Sequence, residues 1–262
     1  MVKIGGGSIT DQNKPRSARR EVISRLLSEI DRARKEKGLN VIIGHGAGSF
    51  GHVPAKEYRV AEGLINNDSG KGAVITKSAV SELNFIVVEE VAKLGIPAFP
   101  FYPSSFSYSD GRKLVSGFTD HIKDALSRGF VPIVHGDVVF DSKQGIAIAS
   151  TEEVFRFLSE RITPDEIIIA TDVDGIYDKD PTKYEDATLI ESVDGSNIDQ
   201  VLSGAGDAHK IDVTGGMKGK VSLIHEMVKR TNAVGRIVNA TTPGVLESAM
   251  MGRGTRQTVI KR

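Results

Sequence analysis

The chain has no cysteine, no net charge and no long apolar run. Without cysteine among its 262 residues, disulfides, thiolate zinc sites and cysteine nucleophiles are excluded. Lysine plus arginine and aspartate plus glutamate number 34 each, so the basic excess usual in a nucleic-acid binder is missing. No apolar stretch approaches the ~20 residues of a membrane span. The opening Met1-Val-Lys-Ile-Gly-Gly-Gly7 runs straight into a strand pattern and carries no signal peptide. Repeats and low-complexity tracts are also absent. The expectation is a cytoplasmic chain with neither a nucleic-acid nor a membrane partner. Its 39% apolar content suffices for the core of one large domain or two modest lobes.

What is present is alternation of strand and helix patterns. Val2 to Ile4 reads as a short strand. Glu21 to Lys37 reads as a helix, with Val22, Ile23, Leu26, Leu27, Ile30 and Ala33 at helical spacing and Gly38 as its stop. Asn40 to Gly44 is a buried strand. A long helix lies within Asp68 to Leu94, preceded by what reads as a mobile loop over Asn66 to Gly72. Further strands are expected at Ile96–Phe101, Phe130–Val134, Glu166–Ala170, Gly235–Asn239 and Gln257–Ile260. Further helices are expected at Thr119–Arg128, 150–161, within Val221–Arg230 and at Pro243–Met251. Val138 to Ala149 reads as a hairpin around Ser142-Lys-Gln-Gly145, and Ser150-Thr-Glu-Glu153 as a capping box. This order predicts an α/β fold, with helices covering both faces of a mostly parallel sheet. Ile162-Thr-Pro-Asp165 marks a boundary between two halves.

Three glycine-rich stretches fall where strands end: Lys3-Ile-Gly-Gly-Gly-Ser8, His45-Gly-Ala-Gly-Ser-Phe-Gly-His52 and Asp212-Val-Thr-Gly-Gly-Met-Lys-Gly-Lys220. Glycine lets backbone approach a ligand closely, and N–H groups at such turns form anion-binding concavities. Each stretch carries or adjoins a cationic or protonatable side chain: Lys3, His52, Lys218 and Lys220. Three such loops point to several phosphates in one cleft, and so to phosphoryl transfer. Gly46-x-Gly48-x-x-Gly51 matches the dinucleotide fingerprint literally. That fingerprint also needs an acidic residue at a strand end ~20 residues on, and Ala61 to Lys77 supplies none. No P-loop string exists.

The strings taken together resemble the amino acid kinase superfamily. Lys3-Ile-Gly-Gly with Ile9-Thr-Asp11, His135-Gly-Asp-Val138, Thr171-Asp-Val-Asp-Gly-Ile-Tyr177, Asp212-Val-Thr-Gly-Gly-Met217 and Gly254-Thr255 follow in the family's order. The Ser-Phe-Gly-His52 ending is similar to its isopentenyl phosphate kinase branch. The resemblance implies a single domain over 1–262, a three-layer αβα sandwich around a mostly parallel sheet. Residues 1–162 would form the phosphate-acceptor half and 163–262 the nucleotide-binding half. The implied activity is ATP-dependent phosphorylation of isopentenyl phosphate to isopentenyl diphosphate, with Mg²⁺ arriving on the nucleotide and a homodimer as the assembly.

An acceptor phosphate is already an anionic nucleophile, so no general base is required. The obstacle is bringing a dianion to the γ-phosphate. On the resemblance, Lys3 bridges the transferring group, and the N–H groups of Gly5, Gly6, Gly7, Ala47 and Gly48 cradle phosphate oxygens. His52 donates to the acceptor phosphate. Gly216, Lys218 and Lys220 serve the ATP phosphates, and Asp172 and Asp174 border the nucleotide. Ser150 and Thr151 are helix caps first, and in a second reading they point at the acceptor phosphate. Asp137 is a candidate for orienting Lys3, and Asp178 to Pro181 reads as a solvated turn. Phe85, Val88, Phe106 and Phe118 are candidates for lining an apolar acceptor cavity.

The chain also departs from the family pattern. Where a lysine usually follows the Ile-Thr-Asp run stands Gln12, with Lys14 two residues on as its candidate replacement. Ala47 stands for a usual glycine, and Ser150-Thr-Glu-Glu153 for a Ser-Gly-Asp pattern. Two other readings stay open. One is a kinase for another phosphate or phosphonate, such as fosfomycin. The other is a nucleotide-binding regulator without catalysis.

Overall fold

The computed structural model describes residues 1–181, 183–204 and 216–262. The first half holds β1 (Val2–Ile4), α1 (Gly6–Ile9), α2 (Arg20–Lys37), β2 (Ile43–His45), α3 (Gly48–Glu57), α4 (Ser69–Lys93), β3 (Ala98–Pro100) and α5 (Pro103–Phe106). It continues through β4 (Ser107–Asp110), β5 (Lys113–Gly117), α6 (Asp120–Ser127), β6 (Val131–His135), β7 (Asp137–Asp141), β8 (Gly145–Ala149) and α7 (Thr151–Ile162). The second holds β9 (Glu166–Thr171), β10 (Ile176–Tyr177), β11 (Leu189–Ile190), β12 (Ser192–Val193), α8 (Ile198–Gly204), α9 (Gly216–Thr231), β13 (Val234–Asn239), α10 (Val245–Met250) and β14 (Gln257–Ile260).

The main sheet has eight strands in the order β12-β14-β13-β9-β1-β2-β6-β3. β14 pairs antiparallel to β13 and parallel to β12, while β13, β9, β1, β2, β6 and β3 all run the same way. Strand pleating sends alternate residues to opposite faces. Val2, Ile4, Ile168 and Ala170 pack with α2 residues Leu26, Leu27 and Ile30 and α4 residues Leu83 and Val87. Ile167, Ile169 and Ile237 pack on the other side with Phe155, Leu158, Ile224 and Met227 of α7 and α9. Two cores flank one sheet, the expected αβα sandwich.

A second sheet, β5-β4-β7-β8, joins two hairpins. The β7–β8 turn is the one anticipated around Ser142 to Gly145, where Gly145 has φ 80°. Asp141 ties the two hairpins. It accepts from the Ser109 hydroxyl (2.7 Å) and from the backbone N–H of Arg112, Lys143 and Gln144. Burial would raise its carboxyl, but these donors hold it well below the usual value.

Several local expectations change. Asn66 to Gly72 is not one loop: α4 begins at Ser69, and Gly72 is buried against Tyr58, where a Cβ would come within 2.2 Å of the Tyr58 Cβ. Glycine here serves packing inside a helix. The β4–β5 hairpin was not expected, because Ser107 to Gly117 is polar and lacks the alternation that marks a strand. The capping box is half made: Ser150 Oγ accepts from the Glu153 N–H at 3.1 Å. The Glu153 carboxylate turns away to Leu114 N–H (2.7 Å) and Arg156.

Candidate active site

Strand register assembles the site. Ile4 lies beside His45 on one side and Ala170 on the other, and His45 lies beside His135. The loops that follow β1, β2, β6 and β9 therefore leave the sheet along one edge, at the carboxyl ends of its strands. Open α/β sheets bind ligands there, where the chain departs to both sides of a central strand. Here β1 is that strand.

The first two glycine loops touch backbone to backbone. A Cβ on Gly6 would come within 2.3 Å of Gly48 N, and one on Gly46 within 2.7 Å of Gly6 N. Gly48 has φ +48°, the left-handed region that favours glycine, and opens α3. Ala47 stands at φ −81°, so its side chain is tolerated where glycine is usual. Gly5 donates to the Ala170 carbonyl at 2.7 Å. Glycine at 6, 46 and 48 is thus required by loop-to-loop packing. Gly7 is more open: its nearest neighbour would be Asp172 Oδ2, 3.8 Å from an added Cβ.

Lys3 lies between two residues of the first core, so the pleat turns it to the opposite face, toward α7. Its ammonium donates to Glu152 Oε1 at 2.9 Å, and both side chains are buried. Burial would raise the Glu152 carboxyl, but Lys3 and then Lys220 hold it below its usual value. Glu152 therefore gathers a cation from β1 and one from the start of α9. This carboxylate was missed in the sequence; its one signal was the departure at Ser150-Thr-Glu-Glu153. Asp137 does not meet Lys3. It accepts from Lys77 Nζ at 2.9 Å through both oxygens and from Ser104 N–H at 3.0 Å.

The remaining candidates fall as follows. His52 is half-buried, four residues into α3. Thr151 is buried, with its hydroxyl donated to the His45 carbonyl at 2.7 Å. Ser150 caps α7. Asp172 is exposed at the end of β9 and accepts from the Thr171 hydroxyl at 3.1 Å. Asp174 is tied on both oxygens, accepting from Asn239 Nδ2 (2.9 Å) and the Tyr177 hydroxyl (3.0 Å), with Arg256 3.4 Å away. Gly216 opens α9, where Lys218 is exposed and Lys220 half-buried, while Asp212 to Gly215 lie outside the described residues. Lys14 is exposed in a turn that closes on itself through Asp11 N–H to Ser17 O (2.9 Å). Phe85 and Phe118 are exposed, Val88 packs on the first core and Phe106 in the second, so these four do not form one lining.

Beneath the second loop, His45 and His135 stack with ring centroids 5.4 Å apart. Burial, and then the neighbouring His135, push the His45 imidazole down to about 4, and burial lowers His135 as well. Both are neutral at pH 7. A third, small apolar cluster of Ala55, Val60, Val138 and Ile146, with Tyr58, Ala73 and Ile148 against it, lies one turn along α3 from His52.

Residues 1–239 match the amino acid kinase family. An isopentenyl phosphate kinase from Methanothermobacter thermautotrophicus is 34% identical, over 98% of each chain. One from Methanocaldococcus jannaschii is 32% identical over 96% of this chain and 95% of its own. A crystal structure of an isopentenyl phosphate kinase superposes with a TM-score of 0.84 at 31% identity, covering 99% of this chain and 98% of that one. The chain belongs to the amino acid kinase family, in its isopentenyl phosphate kinase branch.

Proposed function

We propose that this protein transfers the γ-phosphoryl group of ATP to isopentenyl phosphate, giving isopentenyl diphosphate and ADP. The observation that carries the reading is the single sheet edge on which the Lys3–Glu152–Lys220 group and the His52 helix begin. An oxygen of the acceptor phosphate attacks the γ-phosphorus, and the bond to the β,γ-bridging oxygen breaks. The nucleophile is already anionic, so the protein's part is positioning and charge neutralisation.

Lys3, held by Glu152, faces the transferring group, and Lys220 and Lys218 serve the ATP phosphates with the N–H groups around Gly5 to Gly7 and Gly216. His52 donates to the acceptor phosphate, beside Ala47 and Gly48, and Ser150 and Thr151 border it. Lys14 reaches the phosphoryl group from its exposed turn. The five-carbon chain lies against the Ala55–Val60–Val138–Ile146 cluster. Asp172 fits the water shell of a nucleotide-borne Mg²⁺, since it is exposed and its Oδ2 lies in front of Gly7. Mg²⁺ bound there would offset phosphate charge. Asp174, tied to Asn239 and Tyr177, shapes the nucleotide edge.

The assembly proposed is a cytoplasmic homodimer. Its support is the exposed Phe99 on edge strand β3, whose ring lies 6.5 Å from that of the exposed Phe130. Light scattering tests it. Among the described residues no helix is long and apolar enough to cross a membrane. The activity is tested by coupled ADP release with Mg-ATP and, in separate arms, isopentenyl phosphate, dimethylallyl phosphate and fosfomycin. Turnover with an amino acid or carbamate and none with a monophosphate would overturn the reading.

A further inference from the structure

One hydroxyl sits at the contact between the first two glycine loops. Thr10 Oγ1 donates to Gly6 O at 2.7 Å and accepts from Ser49 N–H at 3.0 Å and from Gln12 Nε2 at 2.7 Å. Thr10 is fully buried, and the same oxygen would stand 2.1 Å from a Cβ on Gly48. A hydroxyl has one proton and two lone pairs. Gly6 O can only accept, so it takes the proton, and the two donors fill the lone pairs. Every hydrogen-bonding capacity of this group is used, and its rotor has one orientation.

Each of the three partners belongs to a different part of the site. Gly6 opens α1, just after the β1 strand that carries Lys3. Ser49 lies in the first turn of α3, three residues before His52. Gln12 comes from the turn that carries Lys14. Gln12 directly follows the Ile9-Thr-Asp11 run, and its amide turns inward to Thr10.

We propose that Gln12 is a positioning residue. Its amide fixes the Thr10 hydroxyl, and the hydroxyl sets the spacing between the Lys3 loop and the His52 helix, hence the distance between donor and acceptor phosphates. The inference rests on assigning those two loops to the two phosphates. Small misplacements of reacting groups cost rate more than affinity, because each ligand still meets its own loop. The readout is therefore kcat, with both KM values nearly unmoved.

The test compares Gln12→Met, which keeps length and loses the donor, with Gln12→Asn, Thr10→Val, Thr10→Ser and the Gln12→Met/Thr10→Val pair. Initial rates are measured with Mg-ATP and isopentenyl phosphate, each varied in turn, and folding is checked by thermal melting. A neutral hydrogen bond corresponds to about 2- to 10-fold, so Gln12→Met should lower kcat by about that factor. Thr10→Ser should retain most of the activity, since it keeps the hydroxyl. Thr10→Val should lose more than Gln12→Met, and the double variant should be no slower than Thr10→Val alone, because both act through one oxygen. Multiplying effects in the double variant, or a Gln12→Met enzyme with wild-type kcat, would overturn the proposal. A raised KM for one ligand alone would do so too. Should Thr10→Val not fold, Gln12→Met against Thr10→Ser still decides it. A wild-type protein that turns over no monophosphate would instead overturn the assignment of the activity.

Discussion

Replacing Glu152 with glutamine removes the charge that Lys3 faces and keeps the shape. Both side chains are about 6% exposed and their charged atoms lie 2.9 Å apart. Breaking a buried pair by neutralising one partner costs about 3–5 kcal/mol, because a buried charge is left uncompensated. The Coulombic link of Glu152 to Lys220 adds to this, since two cations would then face each other across the neutral amide. At about 2–4 °C per kcal/mol for a chain of this size, melting should fall by about 6–20 °C. ATP brings the missing counter-charge. Its phosphates should therefore stabilise the variant by more degrees than they stabilise the wild type at equal ATP concentration, a linkage between binding and folding. The carboxyl is held below its unfolded value, so its contribution is present above pH ~4.3 and lost as pH falls through the folded value. The glutamine variant should lack that portion of the acid slope. Differential scanning fluorimetry with and without Mg-ATP reads all three effects. A variant that melts within about 2 °C of the wild type, with the same ATP shift, would refute the reasoning.

His52→Ala removes a charge-assisted hydrogen bond worth ~1.5–3 kcal/mol, so kcat/KM for the acceptor should fall roughly 10- to 100-fold. His52→Gln should retain part of it, and unchanged steady-state kinetics would reject the role. Lys220→Ala should weaken ATP binding in calorimetry and leave the acceptor's affinity nearly intact; equal loss for both would count against the division into two halves. Lys14→Ala should lower kcat by about 10-fold with little change in either KM, and a silent variant would show a solvated loop lysine. His45 titrates near 4 when folded and near 6.5 unfolded, so the unfolded chain binds more protons between these values. Stability should therefore drop by up to roughly 3 kcal/mol as pH falls through that window. Urea melts at pH 7 and pH 4.5 check this, with His45→Gln flattening the slope.

Much of this architecture was legible in the sequence because it follows from period and punctuation. The α2 stripe and its left-handed Gly38 stop, and the runs that became β2, β6, β9 and β13, needed no knowledge of partners. The first two glycine loops could be placed because their glycine clusters directly follow the β1 and β2 patterns. What sequence could not supply was contact across distance. Lys3 meets Glu152 across a sequence separation of 149, and Asp137 turns to Lys77 instead. Short polar hairpins such as β4–β5 exist because Asp141 and the neighbouring strands hold them, not because their residues alternate. The acceptor-lining aromatics were misplaced because position along a chain says little about which way an exposed Phe85 or Phe118 points. The small cluster beside His52 draws on four separate segments and has no single string to mark it.

The shared sheet also bears on how this enzyme can be cut. β1 is bonded on one side to β2 and on the other to β9, so a cut at residue 162, the proposed line between acceptor and nucleotide halves, runs through a row of backbone hydrogen bonds. A polypeptide ending there would carry a bare β1 edge, and its complement a bare β9 edge, each an unpaired template for aggregation. The two proposed ligand halves are therefore not separable modules. Expressed apart they should be insoluble, and expressed together their most favourable partner is each other. A split at this point would make the phosphotransfer activity itself a reporter of two fragments meeting.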